Sequence, residues 1–153
     1  MKTQATESLP NNLGSVTELL NYFVSVRAKT LDLCSPLEIE DFGVQPMADA
    51  SPPKWHLAHT TWFFEAFLLK VYKENFQPFH ETFGYLFNSY YIRVGHPFPR
   101  SDRGNLSRPT VKEVMQYRTE TESKVIDLIT DLERFDQKSQ QEILSVLRVG
   151  IEH

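Results

Sequence analysis

Two histidines stand three residues apart in the stretch Ser51-Pro-Pro-Lys-Trp-His-Leu-Ala-His-Thr-Thr-Trp-Phe-Phe-Glu65, and a third, His153, is the last residue of the sequence. Imidazole is the commonest neutral nitrogen ligand for a metal, so metal binding is the first chemistry these residues suggest. A metal needs three or more donors, and the chain contains no His-x3-His or His-x-Glu pair. On a helix, Trp55, His59, Trp62 and Ala66 share one apolar stripe, while His56 falls on the neighbouring stripe with Phe63 and Phe67. His59 is therefore a candidate ligand in search of partners. The competing reading is a core histidine hydrogen-bonded to a neighbour, and spacing alone favours it. A further ligand four residues beyond His153 would face the same way as His153, which raises the expectation that the sequence stops inside a motif.

Arginine supplies the second chemistry. Arg93, Arg100, Arg103 and Arg108 lie within residues 76–108 against only Glu81 and Asp102, a local charge of +2 in a chain of net charge −4. Guanidinium groups bind carboxylates through two parallel hydrogen bonds, so this segment can act as an anion clamp for an acidic small molecule. Pairing of these arginines with acidic helices, or capping of helix ends, is the equally weighted alternative. Asn88, Ser89, Tyr90 and Tyr91 would add neutral hydrogen-bonding groups. Cys34 has no neighbouring base or cation to activate it and reads as a buried structural thiol.

Helices must position these groups. Ser15-Val-Thr-Glu18 has the form of a capping box, and Leu19, Leu20, Phe23, Val26 and Leu31 then recur at helical spacing to about Leu33. A connector carrying Pro36, Gly43 and Pro46 leads to a second helix, with Ser51 expected as N-cap, Pro52 in the first turn and an end near Lys73. Phe63, Phe64, Phe67, Leu68 and Leu69 make this helix apolar on almost every side, and the surplus must meet the aromatic loop, another domain or another subunit. Residues 76–108 show no periodicity, yet their eight phenylalanines and tyrosines predict a long connection folded onto the body. Thr110-Val-Lys-Glu113 begins a third helix running to about Arg134. Asp136 caps a fourth, with Ile143, Leu144, Leu147 and Ile151 on its apolar face. The pattern predicts an all-α antiparallel four-helix bundle over residues 13–153, with the aromatic and arginine-rich crossover between helices 2 and 3 and a disordered lead-in at 1–12.

Composition narrows the function classes. At 153 residues, 41% hydrophobic and 24% charged, the chain suits one soluble domain. Its negative charge gives no field favouring nucleic acid or an anionic membrane, and no apolar run reaches the ~18–20 residues of a membrane span. One cysteine and no signal-peptide pattern point to the cytoplasm.

Four blocks carry a more specific resemblance: Leu33-Cys-Ser-Pro-Leu-Glu-Ile-Glu-Asp41, Val44 to Glu65, Phe87-Asn-Ser-Tyr-Tyr91 and Arg103-Gly-Asn-Leu-Ser-Arg-Pro-Thr-Val-Lys-Glu-Val114. Together the chain, over about residues 15–153, resembles the N-terminal DinB-like domain of ergothioneine-biosynthesis sulfoxide synthases of the EgtB type. The resemblance implies a nonheme iron(II) enzyme that uses O2 to join a cysteine-type thiol, such as γ-glutamylcysteine or cysteine, to N-α-trimethylhistidine. It implies iron held by one histidine of the second helix, matching His59, and by two in a His-x3-His-x-Glu motif, the first matching His153. It also implies that Arg100 and Arg103 lie in the loop that, in that family, helps bind the thiol substrate's carboxylates. The second histidine of the motif and a C-terminal formylglycine-generating-enzyme-like domain would fall beyond residue 153, so the isolated chain is expected to bind iron weakly and to lack synthase activity. Two alternatives stand beside this: a stand-alone DinB-like module for binding or homodimerisation, and a DinB-like metal-dependent thiol transferase.

Overall fold

A computed structural model describes residues 15–153; the expected lead-in at 1–12 lies outside them. Helix α1 spans Val16–Cys34 and starts where the sequence places it: Ser15 Oγ accepts from the Glu18 N–H at 3.2 Å, and Glu18 returns a bond to the Ser15 N–H at 3.1 Å. Leu19 and Phe23 bury its inner face, whereas Leu31, expected on that face, is exposed.

Helix α2 begins at Pro53–Phe64, with Pro52 rather than Ser51 in the capping position. Two successive prolines hold the chain extended one residue further than expected, and the Ser51 hydroxyl accepts a hydrogen bond from Arg103 instead. The rod continues through a π-helical turn, Glu65–Leu69, into a last turn at Lys70–Tyr72. Asn75 breaks off in the left-handed region at φ 51°, a conformation asparagine tolerates better than most residues. The apolar surplus of α2 is covered within the chain. Phe63, Phe64, Leu68 and Leu69 pack with α1 and the C-terminal helices, while Trp55, Leu57, Ala58 and Trp62 pack with the crossover.

Helix α3 spans Val111–Thr130 behind a capping box of Thr110 and Glu113, and the 3₁₀ turn Leu132–Arg134 finishes the segment that the sequence reads as helix. Asp136 caps α4, Gln137–Glu152, by accepting from the N–H groups of Lys138 and Ser139. Among the described residues there is no strand. The four long helices form the expected bundle. Leu57 near the start of α2 meets Arg118 early in α3, and Lys73 shares a groove with Asp127 and Asp131 late in α3, so these two run parallel. The crossover carries the chain back along the bundle to make this possible, whereas α2 and α4 are antiparallel, with Tyr72 beside Glu142 and His59 beside His153.

The crossover is folded onto the body, as its aromatic content requires. Phe83–Leu86 forms a short helix whose Phe83 is buried with Phe87, and Arg100–Asn105 forms a 3₁₀ turn. Asn88, fully buried, donates to the carbonyls of Tyr91 and Gly95 and accepts from the Tyr91 N–H, which replaces the backbone pairing an irregular buried loop lacks. Gln45 does the same for the 3₁₀ turn, accepting from Gly104 N–H at 2.6 Å and donating to the Arg100 carbonyl at 2.8 Å. A Cβ on Gly104 would lie 2.6 Å from Gln45 Cβ, so only glycine admits this contact. Inside the bundle, Arg27 and Arg118 are buried around one carboxylate, Glu122, at 2.7 and 3.4 Å. No described helix is long and apolar enough to cross a membrane.

Candidate functional site

His59 is buried in the middle of α2, and four contacts fix its ring. Trp55 stacks on it at 4.6 Å with an interplanar angle of 16°, and Trp62 lies nearly parallel to it at 5.7 Å and 17°. Nδ1 lies 2.6 Å from the Phe87 carbonyl, which can only accept, so Nδ1 carries the proton. Nε2 is left with its lone pair, and it points at Nε2 of His153, 2.8 Å away. In that contact His153 donates and His59 accepts. Burial lowers the His59 pKa to about 4, against a partial rise from the Phe87 bond, so the ring is neutral at pH 7.

His153 reaches this position because α4 presses tightly on α2. A Cβ on Gly150 would collide with the rings of Phe64 and Phe63, so glycine three residues before His153 sets the approach of the two helices. The His153 ring then stacks on Phe63 at 4.9 Å and 26°.

The arginines separate sharply. Arg93, Arg100 and Arg108 are exposed, and none of the four loop arginines forms an ion pair among the described residues. Arg103 alone is buried, at 3% exposure. Its guanidinium lies over the Trp55 ring at 3.5 Å, donates to Ser51 Oγ at 2.8 Å and Ser89 Oγ at 3.3 Å, and leaves Nε without a partner. Burial, then the neighbouring Arg100, lowers its pKa to about 10. Among the described residues this buried guanidinium therefore has no carboxylate partner and keeps one donor unused. Arg103, Trp55, His59 and Trp62 thus form one column of planar groups.

His56 is exposed rather than packed in the core, edge-on to Trp55, and burial of its surroundings together with Arg103 and Arg100 lowers its pKa. It therefore stands on the arginine side of the column with its charged form disfavoured. Asn88 serves the loop backbone and not the site, whereas Ser89 holds Arg103. Cys34 is partly buried against the crossover-side core. The sequence did not reveal Phe87, whose backbone oxygen sets the His59 tautomer, or Trp55 as the platform for Arg103. Gly150 carried a legible signal, since it shares a helical face with His153.

Among the described residues, no group of three or more His, Cys, Asp or Glu side chains is arranged to hold a metal. The donor chemistry nonetheless fits two positions of such a site. Two imidazoles bring their Nε2 atoms together: His59 offers its lone pair as it stands, His153 would offer one with its proton moved to Nδ1, and the outer nitrogen of His59 is held by a carbonyl, the arrangement that orients metal-bound histidines.

The family model described as DinB superfamily matches residues 22–153. No curated protein matches the chain.

Proposed function

Because this chain belongs to the DinB superfamily, and on the strength of its histidine pair, we propose that it is the metal-holding domain of a nonheme iron(II), O2-dependent sulfoxide synthase of the ergothioneine-biosynthesis type. The observation that carries this reading is the convergence of His59 and His153 from facing helices, their Nε2 atoms 2.8 Å apart. Iron(II) bound there would lower the pKa of a coordinating thiol and bring it beside O2. The chain's own residues supply the conditions. Phe87 holds the proton on His59 Nδ1 and keeps Nε2 available. Trp55 and Trp62 fix the ring plane, and Gly150 brings His153 within reach.

Arg103 supports the substrate half of the reading. Its position one tryptophan away from His59 suits a thiol that also carries a carboxylate, such as cysteine or γ-glutamylcysteine, with the acid on the guanidinium and the sulfur directed to the histidines. Arg100, exposed beside it, would extend the same positive wall. A third metal donor is not among residues 15–153; on this reading it is the second histidine of a His-x3-His-x-Glu motif, and N-α-trimethylhistidine is held largely by a further domain.

The test is anaerobic titration of the chain with iron(II), using cobalt(II) as a spectroscopic substitute. His59→Ala and His153→Ala are each expected to weaken binding at least tenfold, with circular dichroism confirming the fold. Undiminished binding in either variant removes the pair as ligands. Extending the chain through the full motif is expected to tighten binding further and, with the second domain present, to yield sulfoxide from the thiol and N-α-trimethylhistidine. A zinc preference with thiol transfer and no O2 uptake would replace the synthase reading with a transferase.

A further inference from the structure

Trp62, which stacks against His59, also lines a second cleft of about 470 Å³ that the histidine pair does not use. Its buried floor is Trp62 and Glu65, at 1% and 6% exposure, and Phe76 and Tyr85 stand at its sides. Glu65 sits on the π-helical turn of α2. Such turns disturb the regular hydrogen-bond ladder and recur at functional positions. One Glu65 oxygen, Oε2, accepts from the Phe79 N–H at 3.2 Å; Oε1 makes no hydrogen bond among the described residues, and Glu65 has no ion pair among them. The buried Tyr117 hydroxyl stands next to Glu65, outside strict hydrogen-bonding geometry but near enough to favour the charged carboxylate, so the neighbours of Glu65 are neutral donors and not a counter-charge.

Carboxylates are rarely buried without a partner, because the charge gives up its water with no opposite charge to replace it. Burial accordingly pushes the Glu65 carboxyl above the usual range, only partly offset by the Phe79 N–H, the Tyr117 hydroxyl, Lys124 and Lys70. At the rim, Lys70 and Glu81 are opposite in charge, and His80 and His96 complete the edge. The cleft therefore presents one buried acceptor beneath aromatic walls, within the size range of small-molecule sites.

We propose that this cleft binds a small organic amine in its protonated form, the ammonium hydrogen-bonded to Glu65 and its apolar body lying against Trp62, Phe76 and Tyr85. Aromatic faces attract cations, and the acceptor oxygen selects a cation that carries N–H over one that does not. The site is separate from the histidine pair, and its ligand needs no metal.

The chain has two tryptophans, one of them on the cleft floor, so binding is read by tryptophan fluorescence. Benzylamine is the probe, titrated with a chelator present so that metal at the histidines plays no part. Saturable quenching is expected, with benzylamine binding at least tenfold more tightly than benzyl alcohol or N,N,N-trimethylbenzylammonium. Glu65→Gln is expected to lose at least tenfold in benzylamine affinity while keeping the helical circular dichroism of the parent. Non-saturable quenching, parity with the alcohol or the quaternary ion, or unchanged affinity in a folded Glu65→Gln would overturn the proposal. Should Glu65→Gln not fold, the ligand series on the unaltered protein decides.

Discussion

His59 illustrates how one side chain acquires properties its type does not specify. Free imidazole titrates near neutrality, but here burial lowers the pKa from 6.5 to about 4. Between those values the unfolded chain binds a proton that the folded chain refuses, so stability falls as pH drops through that window. In metal-free protein the full effect amounts to about 3 kcal/mol. His153, lowered by the same loss of water, acts in the same direction. Urea unfolding at intervals between pH 7 and 4 should show this slope, and His59→Phe should remove the larger part of it; an unchanged slope would mean that the ring is not held neutral. Arg103 makes the complementary case. Arg103→Met keeps the stack on Trp55 but deletes the charge, and it is expected to weaken cysteine or γ-glutamylcysteine binding to the iron-loaded protein about tenfold or more, with little change in metal affinity. A parallel loss of both would assign Arg103 a role in folding alone.

At the scale of elements, α4 matters through how closely it lies on α2. Gly150→Ala adds a single methyl where the rings of Phe64 and Phe63 already stand. The helices must part or the rings must leave their rotamers, a penalty of about 1–3 kcal/mol despite alanine's better helix propensity. Thermal unfolding is expected to show that loss, and the separation should weaken metal binding in the same variant. Asp136→Ala provides a contrast at the other end of α4. It removes the cap on Lys138 and Ser139 and is expected to lower the melting temperature, yet it lies at the other end of α4 from His153 and is expected to leave metal affinity unchanged. These two variants separate a helix that is merely stable from one that is correctly placed. Residues 51–53 show where local signals mislead: Ser51 is a good capping residue in isolation, but a guanidinium 52 positions later claims its hydroxyl.

For the whole molecule, the buried Arg27–Glu122–Arg118 group ties α1 to α3 and, through Thr60, Thr61 and the Leu57 carbonyl, to α2. Two buried guanidinium groups share one half-buried carboxylate. Glu122→Ala leaves both without a counter-charge and is expected to destabilise the fold by about 3 kcal/mol, measured by urea unfolding at neutral pH. A loss below about 1 kcal/mol would show that water reaches the pair. The crossover contributes at this scale too. It lets α2 and α3 run parallel, and on the way it delivers Phe87 to His59 and Arg103 to Trp55.

Periodicity and caps in the sequence determined the four helices, since Ser15, Thr110 and Asp136 act on backbone N–H groups within three residues of themselves. The same local evidence marked His59, His153 and the arginine-bearing crossover as places where chemistry could occur. Which arginine is buried, which histidine turns away to solvent, and which nitrogen of His59 is left available were decided only by tertiary structure. Each depends on a partner from another segment: Ser51 and Ser89 for Arg103, Phe63 for His153, the Phe87 carbonyl for His59. The π turn under Glu65 belongs with these, because a shifted hydrogen-bond register leaves no local residue pattern comparable to a cap. Local propensity sets the elements, whereas burial and long-range hydrogen bonding set the charge and direction of the groups they carry.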